Sequence, residues 1–73
     1  MSESIVTVYP TALARHQAVQ HALERKMDAF AALTSALEAG DHAAARAANE
    51  EFRRARDTYF HVLNEQWHVE VTP

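Results

Sequence analysis

The amino-acid sequence predicts an all-α fold, a single antiparallel hairpin of two helices at about residues 10–39 and 41–67 with short extended tails. Three observations favour this fold. The chain contains one glycine and two prolines, so few of its residues interrupt a helix. Apolar residues recur with the helical period on both sides of that glycine. The glycine, Gly40, is followed at once by Asp41, which leaves no room for a long loop.

The first segment is expected to be extended. Ser4–Tyr9 is a β-branched and aromatic run, too short for a helix. Pro10 disfavours the helical conformation at Tyr9 but suits a first helical turn. The first helix is therefore predicted to begin near Pro10–Thr11, with Thr11 or Tyr9 as its cap, and to continue to Ala39.

The turn follows from local chemistry. Gly40 readily adopts the left-handed conformation that ends many helices, and Asp41 is a strong N-cap for the next helix. The second helix is predicted to run from His42 to about Trp67 and to fold back on the first as an αα-hairpin. Both tails then leave from the same end.

The tails are predicted to be extended segments, residues 1–9 and 68–73, of a single domain that comprises residues 1–73. The last residues alternate apolar and polar side chains as a strand does. Ile5–Val8 and Val69–Val71 are therefore placed to pair as two short antiparallel strands. Loose tails are the alternative, because two isolated strands are marginal in water.

Composition restricts the possible functions. A core built from 73 residues is usually marginal, and the absence of cysteine excludes disulfides and thiolate metal sites. Oligomerisation, a partner or very good helix packing is then needed for stability. We expect a cytoplasmic protein, with no secretion signal and no membrane helix. The net charge of −3 argues against a dedicated nucleic-acid binder.

Each helix has a wide apolar stripe when successive residues are turned by about 100°. The stripe of the first helix contains Ala12, Val19, Leu23, Met27, Phe30, Leu33 and Leu37. The stripe of the second contains Ala45, Ala48, Phe52, Ala55, Tyr59, Val62, Leu63 and Trp67, with Phe60 at its margin. This second stripe is about 160° wide, more than one neighbouring helix covers. The sequence therefore predicts a dimeric four-helix bundle or docking on a partner.

The five histidines raise the question of a metal site. The candidate ligands would be His21, Glu24, Asp57 and His61, because helical bundles hold metals with carboxylate–histidine pairs. The same rotation places these side chains on the outer faces of the hairpin, whereas bundle metal sites point inward. We therefore expect exposed residues, no metal and no cofactor.

His16 differs because it falls inside the apolar stripe of the first helix, near the open end. Its position opposite Gln66 and Trp67 predicts a half-buried histidine that is hydrogen-bonded or stacked there. A pH-sensitive or functional contact is the alternative. No nucleophile or second acid is placed beside it, and no catalytic residue is predicted.

Arg56 falls in the apolar arc of the second helix, where its stem can cover apolar neighbours. Arg56, Phe60, Leu63 and Trp67 form a predicted ridge, and arginine and tryptophan are common at interface hot spots. Together with His16, this ridge is the predicted interface.

The predicted function is a non-enzymatic interaction or regulatory protein that binds a protein partner or a second copy. In architecture alone, the hairpin resembles plasmid copy-control hairpins and small phage proteins that bind host polymerases, with no shared motif. That resemblance implies a small regulator or inhibitor docking on a larger machine such as a host polymerase. The alternatives are an RNA- or DNA-binding hairpin and a histidine–carboxylate metal-binding bundle.

Overall fold

The computed structural model describes residues 5–70 as two long helices and two short strands. The elements are β1 (Val6–Tyr9), α1 (Ala12–Glu38), α2 (His42–Asn64) and β2 (Gln66–Val69). The helical hairpin predicted from the sequence is confirmed, with a small sheet added at its open end.

The start of α1 has the predicted cap. Thr11 is extended, and its hydroxyl accepts a hydrogen bond of 3.0 Å from the Ala14 N–H. This bond satisfies one of the backbone donors left free at a helix N-terminus. The prediction of Thr11 as a capping residue is therefore confirmed.

The turn between the helices also forms as predicted. Gly40 has a φ of 70°. The Gly40 N–H donates to the Leu37 carbonyl at 3.1 Å, and the Asp41 N–H donates to the Ala36 carbonyl at 3.0 Å. The Asp41 carboxylate then accepts from the Ala44 N–H at 3.0 Å and caps α2. Two residues thus end one helix and start the next.

The predicted end of the second helix is wrong. The helix stops at Asn64, three residues before Trp67, because Glu65 turns to an extended backbone with φ −69° and ψ 151°. In that conformation the Glu65 carboxylate accepts hydrogen bonds from the hydroxyls of Thr7 and Tyr9. Contacts distant in sequence thus end the helix, and Trp67 lies on β2.

The tails pair as strands, but the predicted antiparallel direction is wrong. β1 and β2 are parallel, with Val6 opposite Gln66 and Tyr9 opposite Val69. The chain bends at Pro10–Thr11 and again at Glu65, so neither strand continues the axis of its helix. An alternating pattern does not encode strand direction. Val71, part of the predicted pairing, lies outside the described residues.

Small side chains separate the two helices. Within residues 5–70, the buried apolar residues are Ala22, Ala29, Ala36, Ala45 and Ala55. A spacing of seven residues places the three alanines of α1 almost on one line along the helix. We call this contact the alanine seam. The helices therefore meet through their smallest residues, and the large apolar residues assigned to the contact are displaced to its side.

The molecule is one layer thick. Its principal extents are 57 × 32 × 12 Å. A stable helical domain usually packs two layers around one core, so this hairpin leaves a broad surface on each side. Across the described residues, neither helix is long and apolar enough to cross a membrane.

Candidate interaction face and the open-end clasp

The hairpin has one apolar and one charged side. At about 100° per residue, Phe30 of α1 and Phe52 of α2 lie on the same side of the alanine seam. Their rings meet across the helices with centroids 5.6 Å apart. On the opposite side, Arg25 Nη2 and Glu51 Oε1 join the same helices at 3.5 Å. One face of the hairpin is therefore apolar and the other is charged.

The apolar side is large and open. We define the apolar face by the residues Met27, Phe30, Leu37, Phe52, Phe60 and Leu63. Met27, Phe30 and Leu37 of α1 are 59%, 56% and 60% exposed, while Phe60 and Leu63 of α2 are 48% and 42% exposed. Contiguous apolar surface of this kind is a common property of binding sites. About half of the area of these five side chains is therefore outside the hairpin's own core.

The cations near the apolar face have partners in the chain. Lys26 Nζ lies 4.9 Å from the centroid of the Tyr59 ring, a cation–π contact. Arg56 Nη2 lies 3.7 Å from Asp57 Oδ1, and the Arg56 side chain is 43% exposed. Both side chains therefore have a polar end at the margin of apolar surface, as expected for snorkelling cations.

Three of the four predicted ridge residues lie together. Arg56, Phe60 and Leu63 share one side of α2, and their role as an interface stays a prediction. Trp67 is not part of this ridge because it lies on β2. Its ring meets Tyr9 edge-on, with centroids 6.1 Å apart and an angle of 81°.

His16 is exposed, so the prediction of a half-buried histidine is wrong. The inward position at this level of α1 belongs to Arg15, one residue earlier, which is 9% exposed. The sequence predicted a helix contact centred on the large apolar residues, whereas the contact in the structure is centred on the alanines. This rotation of the contact turns His16 toward solvent.

The metal-ligand candidates are dispersed. His21, Glu24, Asp57 and His61 are all exposed. Within residues 5–70, no three histidine, aspartate or glutamate side chains lie close enough to hold a metal ion.

A polar cluster at the open end was missed by sequence reasoning. We call it the open-end clasp and define it by the residues Thr7, Tyr9, Arg15, Glu65 and Trp67. The Glu65 carboxylate accepts from Thr7 Oγ1 at 3.0 Å and from the Tyr9 hydroxyl, while Arg15 Nε lies 3.8 Å from Glu65 Oε1. The clasp thereby joins β1 to the start of β2 and to α1.

Arg15 is the centre of this cluster. Its Nη2 donates a 2.9 Å hydrogen bond to the carbonyl of Val62 in the last turn of α2. The guanidinium carbon lies 4.9 Å from the Trp67 ring centroid and 5.9 Å from that of Tyr9. A cation near a helix C-terminus is also favoured by the helix dipole. One signal could have found Arg15: it lies seven residues before Ala22, on the line of the alanine seam.

The clasp perturbs two ionisations. The hydrogen bond from Tyr9 lowers the pKa of Glu65 below its ordinary 4.5. Thr7 and Arg15 also lower this pKa, whereas burial raises it. The hydrogen bond to Glu65, followed by burial, raises the pKa of Tyr9 above its ordinary 10.0. The cluster therefore favours an ionised Glu65 beside a neutral Tyr9.

The clasp predicts a specific pH dependence of stability. Because the pKa of Glu65 is lowered in the folded protein, the ionised carboxylate stabilises the fold above about pH 4.5. This stabilisation is lost as the pH falls through the folded pKa. The neutral Tyr9 hydroxyl stabilises the fold below about pH 10, and this stabilisation is lost as the pH rises through its raised pKa. Urea unfolding between pH 7 and pH 3 should show a smaller decline for Glu65→Gln than for the original protein. Parallel curves for the two proteins would contradict this assignment.

Comparison with known proteins does not extend these findings. Searches with family models, among curated proteins and among solved structures give no match for this chain. The apolar face and the open-end clasp are therefore the features that indicate a function.

Proposed function

We propose that the protein is a non-enzymatic interaction module. Its apolar face binds the surface of another protein, which is either a partner or a second copy of this chain. The observation that carries the proposal is the Phe30–Phe52 contact, since it joins the apolar sides of both helices into one surface. Large side chains are exposed on this surface while alanines fill the core.

The energetics support a binding role. Burying a large apolar side chain completely is worth about 1.5–3 kcal/mol, so covering the exposed half of one contributes about 1 kcal/mol. The apolar face has several such side chains, whereas the most deeply buried apolar residues within residues 5–70 are small alanines. Covering this face would supply the additional stability that so short a chain needs.

The proposed biological form is a small regulator or inhibitor that docks on a larger assembly, for example a host polymerase. The hairpin architecture and its exposed apolar face support this form. The absence of cysteine is consistent with the proposed cytoplasmic location.

The charges favour protein binding over nucleic-acid binding. Arg25 and Arg54 form ion pairs with Glu51, and Arg56 pairs with Asp57. A nucleic-acid track needs cations free to contact phosphates along one side. Here the cations are divided between faces and interleaved with carboxylates.

Photo-crosslinking from two positions of α2 tests the proposed function. A photoreactive amino acid at Phe60 lies on the apolar face, and one at Arg54 lies on the opposite side. Introduced singly and irradiated in the native cell, the Phe60 variant should give discrete crosslinked protein products. The Arg54 variant should give few or none.

The two variants are matched, because both positions are exposed and lie on the same helix. Equal helical circular dichroism would show that both fold. No product from Phe60, or equal products from both positions, would contradict the proposed function.

A further inference from the structure

We propose that the apolar face is covered by a second copy of this chain, in a four-helix bundle whose two-fold axis runs parallel to the helices. This inference rests on the proposed function and names the partner for the same surface. Three observations support it: the size of the face, the thickness of the molecule and the charges along its borders.

The face has the size of a protein–protein interface. α1 has 27 residues, which corresponds to a length of about 40 Å. Two adjacent helices are about 20 Å wide. The apolar side therefore offers about 800 Å², which is the area per partner of a standard stable interface.

A second copy completes the architecture. The hairpin is a single layer, 12 Å thick, and a helical domain needs a second layer against its apolar side. A second copy provides an apolar layer of the same length. Small and large residues also adjoin on the face, where Ala48 of α2 lies one turn from Phe52, so two such layers can interdigitate.

The charges along the outer borders of the face differ between the helices. Rotation at about 100° per residue places Glu24 and Glu38 on the outer border formed by α1. The same rotation places Arg46 and Arg53 on the outer border formed by α2. These four side chains are exposed and form no ion pair within residues 5–70. The same rotation also places Glu50 and Asp57 on the α2 border, beside Arg53. The two borders therefore differ in charge near the turn, where Glu38 lies on α1 and Arg46 on α2.

This asymmetry selects the symmetry axis. An axis perpendicular to the helices, lying in the interface, would place α1 on α1 of the second copy with the height reversed, so that Glu38 would lie at the open end of that helix, far from Arg46. An axis parallel to the helices places α1 on α2 of the second copy, antiparallel, so that the acidic Glu38 meets the basic Arg46 near the turn. Electrostatic complementarity of this kind sets the orientation of partners.

One pair of residues can be identified. Phe30 and Phe52 lie at the same height of the hairpin, and counting toward the turn places Glu38 within two residues of the height of Arg46. That offset is about 3 Å. Rotation about an axis parallel to the helices preserves height, so Glu38 of one copy reaches Arg46 of the other. The two-fold axis generates the same pair a second time, so the dimer contains two such pairs.

Sedimentation equilibrium of the pure protein at low salt tests the proposal with charge reversals. The original protein should be a dimer. Glu38→Arg and Arg46→Glu should each weaken it by about tenfold, because each creates two repulsive pairs. The double variant should recover to within about threefold, and added salt should reduce all these differences.

Matched controls exclude a folding defect. Asp28→Arg makes the same charge change on α1 away from the apolar face and should leave the dimer unchanged. Glu38 is the last residue of α1, where an arginine favours the helix, so lost helicity is not expected.

The other possible results of this experiment contradict the axis, the residue pair or the second copy. Dimers that the single reversals leave unchanged would indicate the perpendicular axis, in which Glu38 and Arg46 do not meet, and would contradict the proposed one. A double variant that stays weak would contradict the Glu38–Arg46 pair. A monomer at all concentrations would exclude the second copy as the partner, while products of higher mass from the Phe60 crosslinker would still support the proposed function.

Discussion

Replacing Arg15 by methionine is expected to lower the free energy of unfolding by about 2–4 kcal/mol. Methionine keeps the length and helix propensity of the side chain but removes its charge and its donors. The Val62 carbonyl then loses its hydrogen bond from Arg15 Nη2. The Glu65 carboxylate, whose side chain is 9% exposed, loses its nearby cation. The cost arises because the Val62 carbonyl loses this donor, and because the charge of Glu65 stays buried with only the hydroxyls of Thr7 and Tyr9 as partners.

The loss should begin at the open end of the hairpin. Trp67 is the single tryptophan of the chain, and the Arg15 guanidinium lies 4.9 Å from its ring. In urea titrations of Arg15→Met, Trp67 fluorescence should change at lower urea than the helical circular dichroism. The original protein should give coincident transitions, because the clasp joins the strands to the helices.

Arg25→Met is the matched control, since it removes the same charge from the same helix. The Arg25 and Glu51 side chains are 67% and 49% exposed, and an exposed pair contributes about 0.2–1 kcal/mol. If Arg15→Met cost no more than Arg25→Met, the central role of Arg15 would be wrong.

Enlarging a residue of the alanine seam is expected to have the second large effect. Ala55 is 2% exposed at the contact between the helices. Leucine at this position adds atoms where no space exists, and overpacking of this kind costs about 1–3 kcal/mol. The helices must move apart locally, so the Phe30–Phe52 contact beside the seam should also weaken.

Ala47→Leu provides the control, because Ala47 is exposed on the same helix and leucine has a similar helix propensity to alanine. Thermal unfolding of both variants at one protein concentration, with circular dichroism as the signal, measures the difference. Concentration must be held constant because self-association would shift the midpoint. An unchanged midpoint for Ala55→Leu would show that the helices are not close-packed at the seam.

The local elements were predictable because their signals are local. Gly40 and Asp41 specify the turn through a left-handed glycine and a side-chain cap, and Thr11 caps α1 in the same way. Each of these interactions joins residues within a few positions of one another, and their chemistry depends little on the rest of the chain.

The candidate site was predictable in part. Arg56, Phe60 and Leu63 were located correctly on one side of α2, because helical rotation alone determines which residues share a side. Trp67 was misplaced, because the helix was extended past Glu65. The hydrogen bonds that hold Glu65 extended come from Thr7 and Tyr9, more than fifty positions away, and no periodic pattern represents them.

The amino-acid sequence by itself determined the two helices, the turn at Gly40–Asp41 and the excess of apolar residues over what one hairpin can bury. The tertiary structure decided which line of each helix faces the other, where α2 ends and in which direction the strands pair. The physical reason is that small alanines let the helices approach closely, which turns Phe30 and its large neighbours outward. The same approach directs Arg15 inward, where it holds the carbonyl of Val62 and the carboxylate of Glu65.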